Sequence, residues 1–117
     1  MKRKVLLYET EDKKCFIKDF ILSLDNKVRR EIIKIFKLMQ EVEILAEPYF
    51  KKLTNTNGIW EIRKRFGTNS YRVLFFFDDD NIVLLTNGFI KKTQKTPKIE
   101  IEKAEKLKND YFRRKKW

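Results

Sequence analysis

Residues 59–90 read IWEIRKRFGTNSYRVLFFFDDDNIVLLTNGFI. Within 59–66, Trp60, Ile62 and Phe66 fall on one side of a two-residue repeat, and Glu61, Arg63 and Arg65 on the other. Successive strand side chains point to opposite faces, so this alternation predicts a half-buried β-strand. Gly67-Thr68-Asn69-Ser70 supplies turn residues, 71–77 a second strand, Asp78-Asp79-Asp80-Asn81 another turn, and 82–90 a third strand. Connections this short join antiparallel neighbours, so the stretch predicts a three-stranded meander.

Working outward, the period changes. Residues 5–8 form a short apolar run, read as an edge strand. Phe16, Ile17, Phe20, Ile21 and Leu24 recur at helical spacing. Asp25-Asn26 ends that helix and caps the next, whose stripe is Val28, Ile32, Ile35, Phe36 and Met39. Arg29, Arg30, Lys34 and Lys37 point outward, and the helix runs to about residue 45, before Pro48. The pair reads as a two-helix antiparallel hairpin. On the far side of the meander, Thr96 is the expected cap of a last helix, with Pro97 at its first position. Ile101, Ala104, Leu107 and Tyr111 make its apolar stripe. The order is N-terminal strand, two-helix hairpin, antiparallel three-stranded meander and C-terminal helix. It predicts one α+β domain over 1–117, with helices on one sheet face. The other face, carrying Glu61, Arg63 and Arg65, is then partly open.

Composition narrows the function. At 42% hydrophobic the chain is not a disordered polyelectrolyte, and 117 residues suit a single core. Twenty-eight Lys and Arg against 17 Asp and Glu leave a net charge of +11. From Lys91 to Trp117 the surplus is seven. Such a charge favours nucleic acid, an anionic membrane or an acidic protein as partner. No apolar run reaches the roughly 18 residues of a membrane span. The helices' apolar faces are needed for the core, which argues against a membrane-surface role. Residues 1–14 do not read as a signal peptide. A single cysteine, Cys15, permits no internal disulfide, which suits a reducing, cytoplasmic setting. Cys15 itself reads as a small core residue. There is no histidine, so Ser-His-Asp and Cys-His devices and His-ligated zinc are excluded.

Charged residues on strands need a reason. Arg63 and Arg65 suit a solvated face. Arg72 shares its face with Leu74 and Phe76, and two partners fit it: Glu61 within the chain, or a phosphate from outside. Lys91 and Lys92 continue the third strand, so at most one faces the arginines and the other lies at the rim. Lys95 stands in the loop before the last helix, whose N-terminal N–H groups also suit an anion. Asp78-Asp79-Asp80 reads as a turn rather than a metal site. The end FRRKKW, with Arg113 and Arg114, has the cation–aromatic mix of RNA-binding segments and equally that of a disordered soluble end.

Three pieces, WEIR at 60–63, YRVLFFF at 71–77 and LLTNGFIKKTQKTP at 84–97, stand in order before a helix of the EIEKAE type. Together they resemble the phage-derived, HigB-type branch of the RelE/ParE toxin superfamily. The resemblance implies a compact α+β fold related to microbial ribonucleases. It implies the toxin of a type II toxin–antitoxin pair that cuts messenger RNA on the ribosome and stops translation. The implied partners are the ribosome with its mRNA and a helix-turn-helix, HigA-like antitoxin. Operator DNA would be reached only through the antitoxin. Carried onto this chain, Arg72 matches the arginine that contacts the scissile phosphate. Arg63 and Lys91 or Lys92 match the other active-site cations, and Glu61 the carboxylate. Arg65, Lys95, Arg113 and Arg114 are the further candidates for RNA contact. Relatives often carry a histidine just before GF in the third strand, where this chain has Thr86-Asn87.

RNA brings its own nucleophile, the 2′-hydroxyl, so cleavage needs no metal and no cofactor. Arg72 and Arg63 would stabilise the phosphorane charge. Lys91 or Lys92 with a lowered pKa would transfer a proton. Glu61 is either a general base or the group that orients Arg72. Two rivals of other classes are a ParE-like gyrase poison and a non-catalytic RNA- or ribosome-binding module. Cations converging on one phosphate-sized spot favour the nuclease, and cations scattered round a rim favour the binder.

Overall fold

The structure, a computed structural model, describes residues 2–92 and 95–115. Strand β1 spans Lys4–Leu7, helix α1 Phe16–Ser23 and helix α2 Asn26–Glu41. Strands β2 (Phe50–Lys52), β3 (Trp60–Phe66), β4 (Asn69–Asp78) and β5 (Ile82–Lys91) follow, then helix α3, Lys98–Arg114. The five strands form one sheet in the order β1-β5-β4-β3-β2. The central β3-β4-β5 part is the antiparallel meander that the alternation predicts. β1 joins β5 in parallel at one edge, and β2 joins β3 antiparallel at the other. β2 is not legible in the sequence: it has three residues, and Phe50 is its only buried one.

The expected one-sided sheet is corrected: helices cover both faces. Ile17, Ile21, Val28, Ile32, Ile35 and Met39 of α1 and α2 pack on Ile62, Val73, Phe75, Val83 and Leu85. On the opposite face Ala104 and Leu107 of α3 pack on Ile59, Leu74, Phe76, Leu84 and Phe89. The cause is in β4, where 71–76 is buried at every residue and therefore apolar on both sides of the pleat. α3 packs there on Leu74 and Phe76 of β4, and Arg72, on the same side of that strand, lies outside this core. Cys15 is half-buried against the first core, as expected.

Local chemistry sets the element ends. Asp25 accepts from the backbone N–H of Lys27 and Val28 at 3.0 and 3.1 Å, the expected cap of α2. α2 stops at Glu41 rather than near 45. Arg3 donates to the carbonyls of Met39, Val42 and Glu43 at 2.7–2.8 Å, satisfying the groups a helix end leaves open. The turn between β3 and β4 is tighter than read: Phe66 pairs with Asn69, leaving Gly67 and Thr68 as the loop. Gly67 takes φ +63°, which a residue without Cβ adopts freely.

β5 carries a bulge. Leu74 pairs with Asn87 and Phe75 with Leu85, so Thr86 is the extra residue. Thr86 Oγ1 donates to the Leu74 carbonyl at 3.0 Å, meeting a backbone group inside the irregularity. The bulge shifts the side-chain parity: Leu84 and Phe89, five positions apart, share the α3 face.

Candidate active site

Register brings the charged residues together. Arg63 stands opposite Arg72, Ser70 opposite Lys91, and Lys51 opposite Glu61. The β5 bulge puts Lys91, rather than its neighbours, on the face of Arg72. Two arginines directly opposed repel each other, and a carboxylate between them offsets this. Glu61 Oε1 lies 3.4 Å from Arg72 Nε and 3.8 Å from Arg63 Nε. Glu61 Oε2 accepts from the hydroxyl of Thr96. Arg63 also pairs with Glu47 Oε1 at 3.5 Å, a half-exposed contact of little worth to stability.

Arg72 is the unusual residue. It is 7% exposed, beside Glu61 at 2%. Its Nη1 donates to Ser70 Oγ at 2.5 Å and to its neighbour's carbonyl, Tyr71 O, at 3.2 Å. Its Nε, although close to Glu61, makes no aligned hydrogen bond. Burial draws its pKa below the ordinary arginine value; Glu61 opposes this, and Arg63 and Arg65 add to it. An arginine does not give up its proton in a protein, so the shift marks a charge held out of water. Lys91 is lowered too, first by burial and then by Arg72, with Glu61 opposing and Arg63 and Lys51 adding.

These groups line a groove of about 480 Å³ bounded by Arg63, Arg65, Thr68, Ser70, Arg72, Lys91 and Lys92. A second groove of about 700 Å³ shares Arg63, Arg65, Ser70 and Arg72 and adds Glu47, Pro48, Tyr49 and Lys64. Five cations thus converge on the first groove and one buried carboxylate balances them from beneath. Such a cleft suits a phosphate, whose oxygens match the guanidinium fork. Among the described residues no group of three or more Cys, Asp or Glu is placed to hold a metal ion. Asp78 accepts from Tyr111 and Lys115 at 2.5 and 2.6 Å, so the aspartate run ends a strand, as the turn reading holds.

Not every expected residue is here. Lys95 is exposed in the loop before α3 and does not line the groove. Arg113 and Arg114 are at the other end of α3, whose 17 residues span about 25 Å. Arg113 bonds Glu11 and Asp110 at 2.9 and 2.5 Å, and Arg114 bonds the Tyr8 hydroxyl and Glu9 carbonyl at 2.9 and 2.8 Å. The tail, whose composition suits an RNA-binding segment and a disordered end equally, is helical to Arg114, because Tyr111 and Phe112 pack on Phe76. Lys116 and Trp117 lie outside the described residues. Thr86 and Asn87, just before Gly88, are buried: Thr86 bonds Asn87 at 2.7 Å, and Asn87 reaches Glu100 Oε1 at 3.0 Å. Lys51, Ser70 and Thr96 join the site although the sequence reading passed over them. The local sequence around Ser70 suits a turn and that around Thr96 a helix cap.

The profile of the family described as "Phage derived protein Gp49-like" matches residues 19–109, which include every groove residue and Thr96. The chain belongs to this family. No curated protein sequence matches the Gp49-like chain. Among solved structures, its fold matches the archaeal RelE–RelB complex from Pyrococcus horikoshii OT3. The match has a TM-score of 0.53 at 17% identity, over 82% of this chain and 100% of that one. The Gp49-like protein thus has a RelE-like α+β fold. Among its described residues, no helix is long and apolar enough to cross a membrane.

Proposed function

We propose that this Gp49-like protein is the toxin of a type II toxin–antitoxin pair, and that it cuts messenger RNA on the ribosome. The observation that carries the reading is Arg72: a buried guanidinium, flanked by Glu61, turned to a groove that Arg63 and Lys91 also line. Family membership and the RelE-like fold support it. The archaeal relative occurs with RelB, which supports an antitoxin as partner. A HigA-like helix-turn-helix antitoxin fits the HigB-type pattern, and its acidic segment would complement the +11 chain.

In this reading the 2′-oxygen attacks the adjacent phosphorus and the bond to the 5′-oxygen breaks. The products are a 2′,3′-cyclic phosphate and a 5′-hydroxyl. Arg72 and Arg63 hold the charge that builds on the equatorial oxygens. Lys91, more acidic than a free lysine, protonates the departing 5′-oxygen. Lys92 and Arg65 hold the flanking backbone at the rim. Glu61 is sealed by Thr96 and two arginines, which suits orienting Arg72 better than taking a proton. The 2′-hydroxyl proton then passes to water within the ribosome-bound complex.

The test is inducible expression of wild type and Arg72→Ala, with growth and mRNA 5′ ends followed together. The expected result is arrest with new mRNA ends within translated frames, both lost in Arg72→Ala. Arrest with intact mRNA overturns the nuclease reading and turns attention to gyrase or to passive ribosome binding.

A further inference from the structure

Two groups from distant parts of the chain meet on the two oxygens of one buried carboxylate. Thr96 Oγ1 donates to Glu61 Oε2, across 35 residues of sequence. Glu61 Oε1 lies against Arg72 Nε at 3.4 Å. Thr96 stands directly before Pro97, the N-cap of α3, and α3 begins without any side-chain cap bond. Its hydroxyl therefore serves Glu61 in place of the helix.

The consequence is orientation. A glutamate carboxylate turns easily about its last bond. Glu61 has two arginines to choose between, since Arg63 Nε is 3.8 Å from the same oxygen. Arg63 is half-exposed and has Glu47 as a second partner. Among the described residues Arg72 has only Ser70 and its neighbour's carbonyl besides, and its Nε has no hydrogen bond to any of them. Holding Oε2 keeps Oε1 beneath Arg72 and stops the carboxylate from swinging to Arg63. We propose that Thr96 is a positioning residue that, through Glu61, sets the Arg72 guanidinium toward the phosphate groove. Its effect on cleavage rests on the nuclease reading; its effect on Arg72 does not.

The test uses the purified full chain with Thr96→Val, Thr96→Ser, Glu100→Ala and Arg72→Ala. Glu100→Ala loosens the first turn of α3 from Asn87 without touching Glu61. One readout is the heteronuclear NMR signal of Arg72 Nε–H, assigned by its loss in Arg72→Ala. The other is kcat and KM for mRNA cleavage on programmed ribosomes. Thr96→Val is expected to move the Nε–H signal and to lower kcat roughly tenfold, the worth of one hydrogen bond to a charged group, with KM unchanged. Thr96→Ser restores both, and Glu100→Ala leaves the signal in place. If Thr96→Val does not fold, Thr96→Ala carries the same comparison. A wild-type signal and kcat in the hydroxyl-free variant overturn the proposal, as does a Glu100→Ala protein that behaves like Thr96→Val. A moved signal with cleavage untouched by both Thr96→Val and Arg72→Ala upholds the positioning of Arg72 and defeats the nuclease reading instead.

Discussion

At Glu61 and Arg72 two charges have left water, and each would cost several kcal/mol if it stood alone. Their mutual contact and the Thr96 and Ser70 hydroxyls offset much of this. Burial first, and then Arg72, lowers the pKa of Lys91 beside them. The sign has two consequences. The unfolded chain binds more protons between the folded value and the ordinary 10.5, so Lys91 adds stability as pH rises through that window. Phosphate binding runs the other way, because it needs the protonated form. Affinity for inorganic phosphate, followed by calorimetry, is expected to fall with rising pH before a free lysine would titrate. Lys91→Arg should hold binding to higher pH, and an unchanged alkaline limb in Lys91→Met would refute the role.

Elements place these residues by close packing. β5 lets α1 approach through Gly88: a Cβ there would meet Phe20 Cδ2 at 2.2 Å. Any side chain at 88 must push the Phe20 ring away or lift α1 off the sheet. Gly88→Ala is expected to destabilise the fold by about 1–3 kcal/mol, the usual cost of overpacking. Urea unfolding measures it, and a midpoint equal to wild type would contradict the contact. Two residues before Gly88, the Thr86 bulge turns Lys91 to the α3 face. The strand thus meets two demands, a close seat for α1 and a cation beside Arg72.

In the whole molecule α3 has two differently anchored ends. Its start is tied through Thr96 to Glu61, the carboxylate beside Arg72 of the cationic groove. Its far end is held by Asp78, which accepts from Lys115 and Tyr111, and by Asp110, which accepts from Tyr8 and Arg113. The Lys115 hydrogen bond, then that of Tyr111, lowers the Asp78 pKa, and the Tyr8 bond lowers that of Asp110. Burial first, then Asp78, pushes Tyr111 up to about 12. Lowered carboxylates add stability that is complete above the unfolded value of 3.8 and lost as pH falls through their folded values. The raised tyrosine adds stability that is complete below 10.0 and lost as pH rises towards 12. Thermal melting across pH should therefore show a plateau with a fall on each side. Asp78→Asn should flatten the acid fall and Tyr111→Phe the alkaline one, and limbs unaltered in both variants would refute the anchor.

How much of this was legible depends on range. Period-two alternation is local, so 59–90 by itself determined three strands and put Glu61, Arg63 and Arg65 on one face, while the pairing of Arg63 with Arg72 came from the register between strands. The pieces that resemble the RelE/ParE superfamily pointed to the RelE-like fold and to Arg63, Arg72 and Lys91 of the groove. Contacts between distant segments were another matter. β2 exists because three residues pair with β3, and no pattern of its own marks it. α3 covers the second face because β4 is apolar on both sides, a property visible in 71–76 but not its occupant. Strand parity allowed one of Lys91 and Lys92 to face the arginines, and the Thr86 bulge decided for Lys91. Thr96 had the local chemistry of a cap, yet a buried carboxylate outcompeted the helix end for its hydroxyl. Arg113 and Arg114 had the composition of an RNA-binding tail, but helix length carried them away from the groove to Asp110, Glu11 and Tyr8. Side-chain direction along a strand follows from the neighbouring residues, whereas the partner of a charged or hydroxyl group is settled only when the chain brings distant segments into contact.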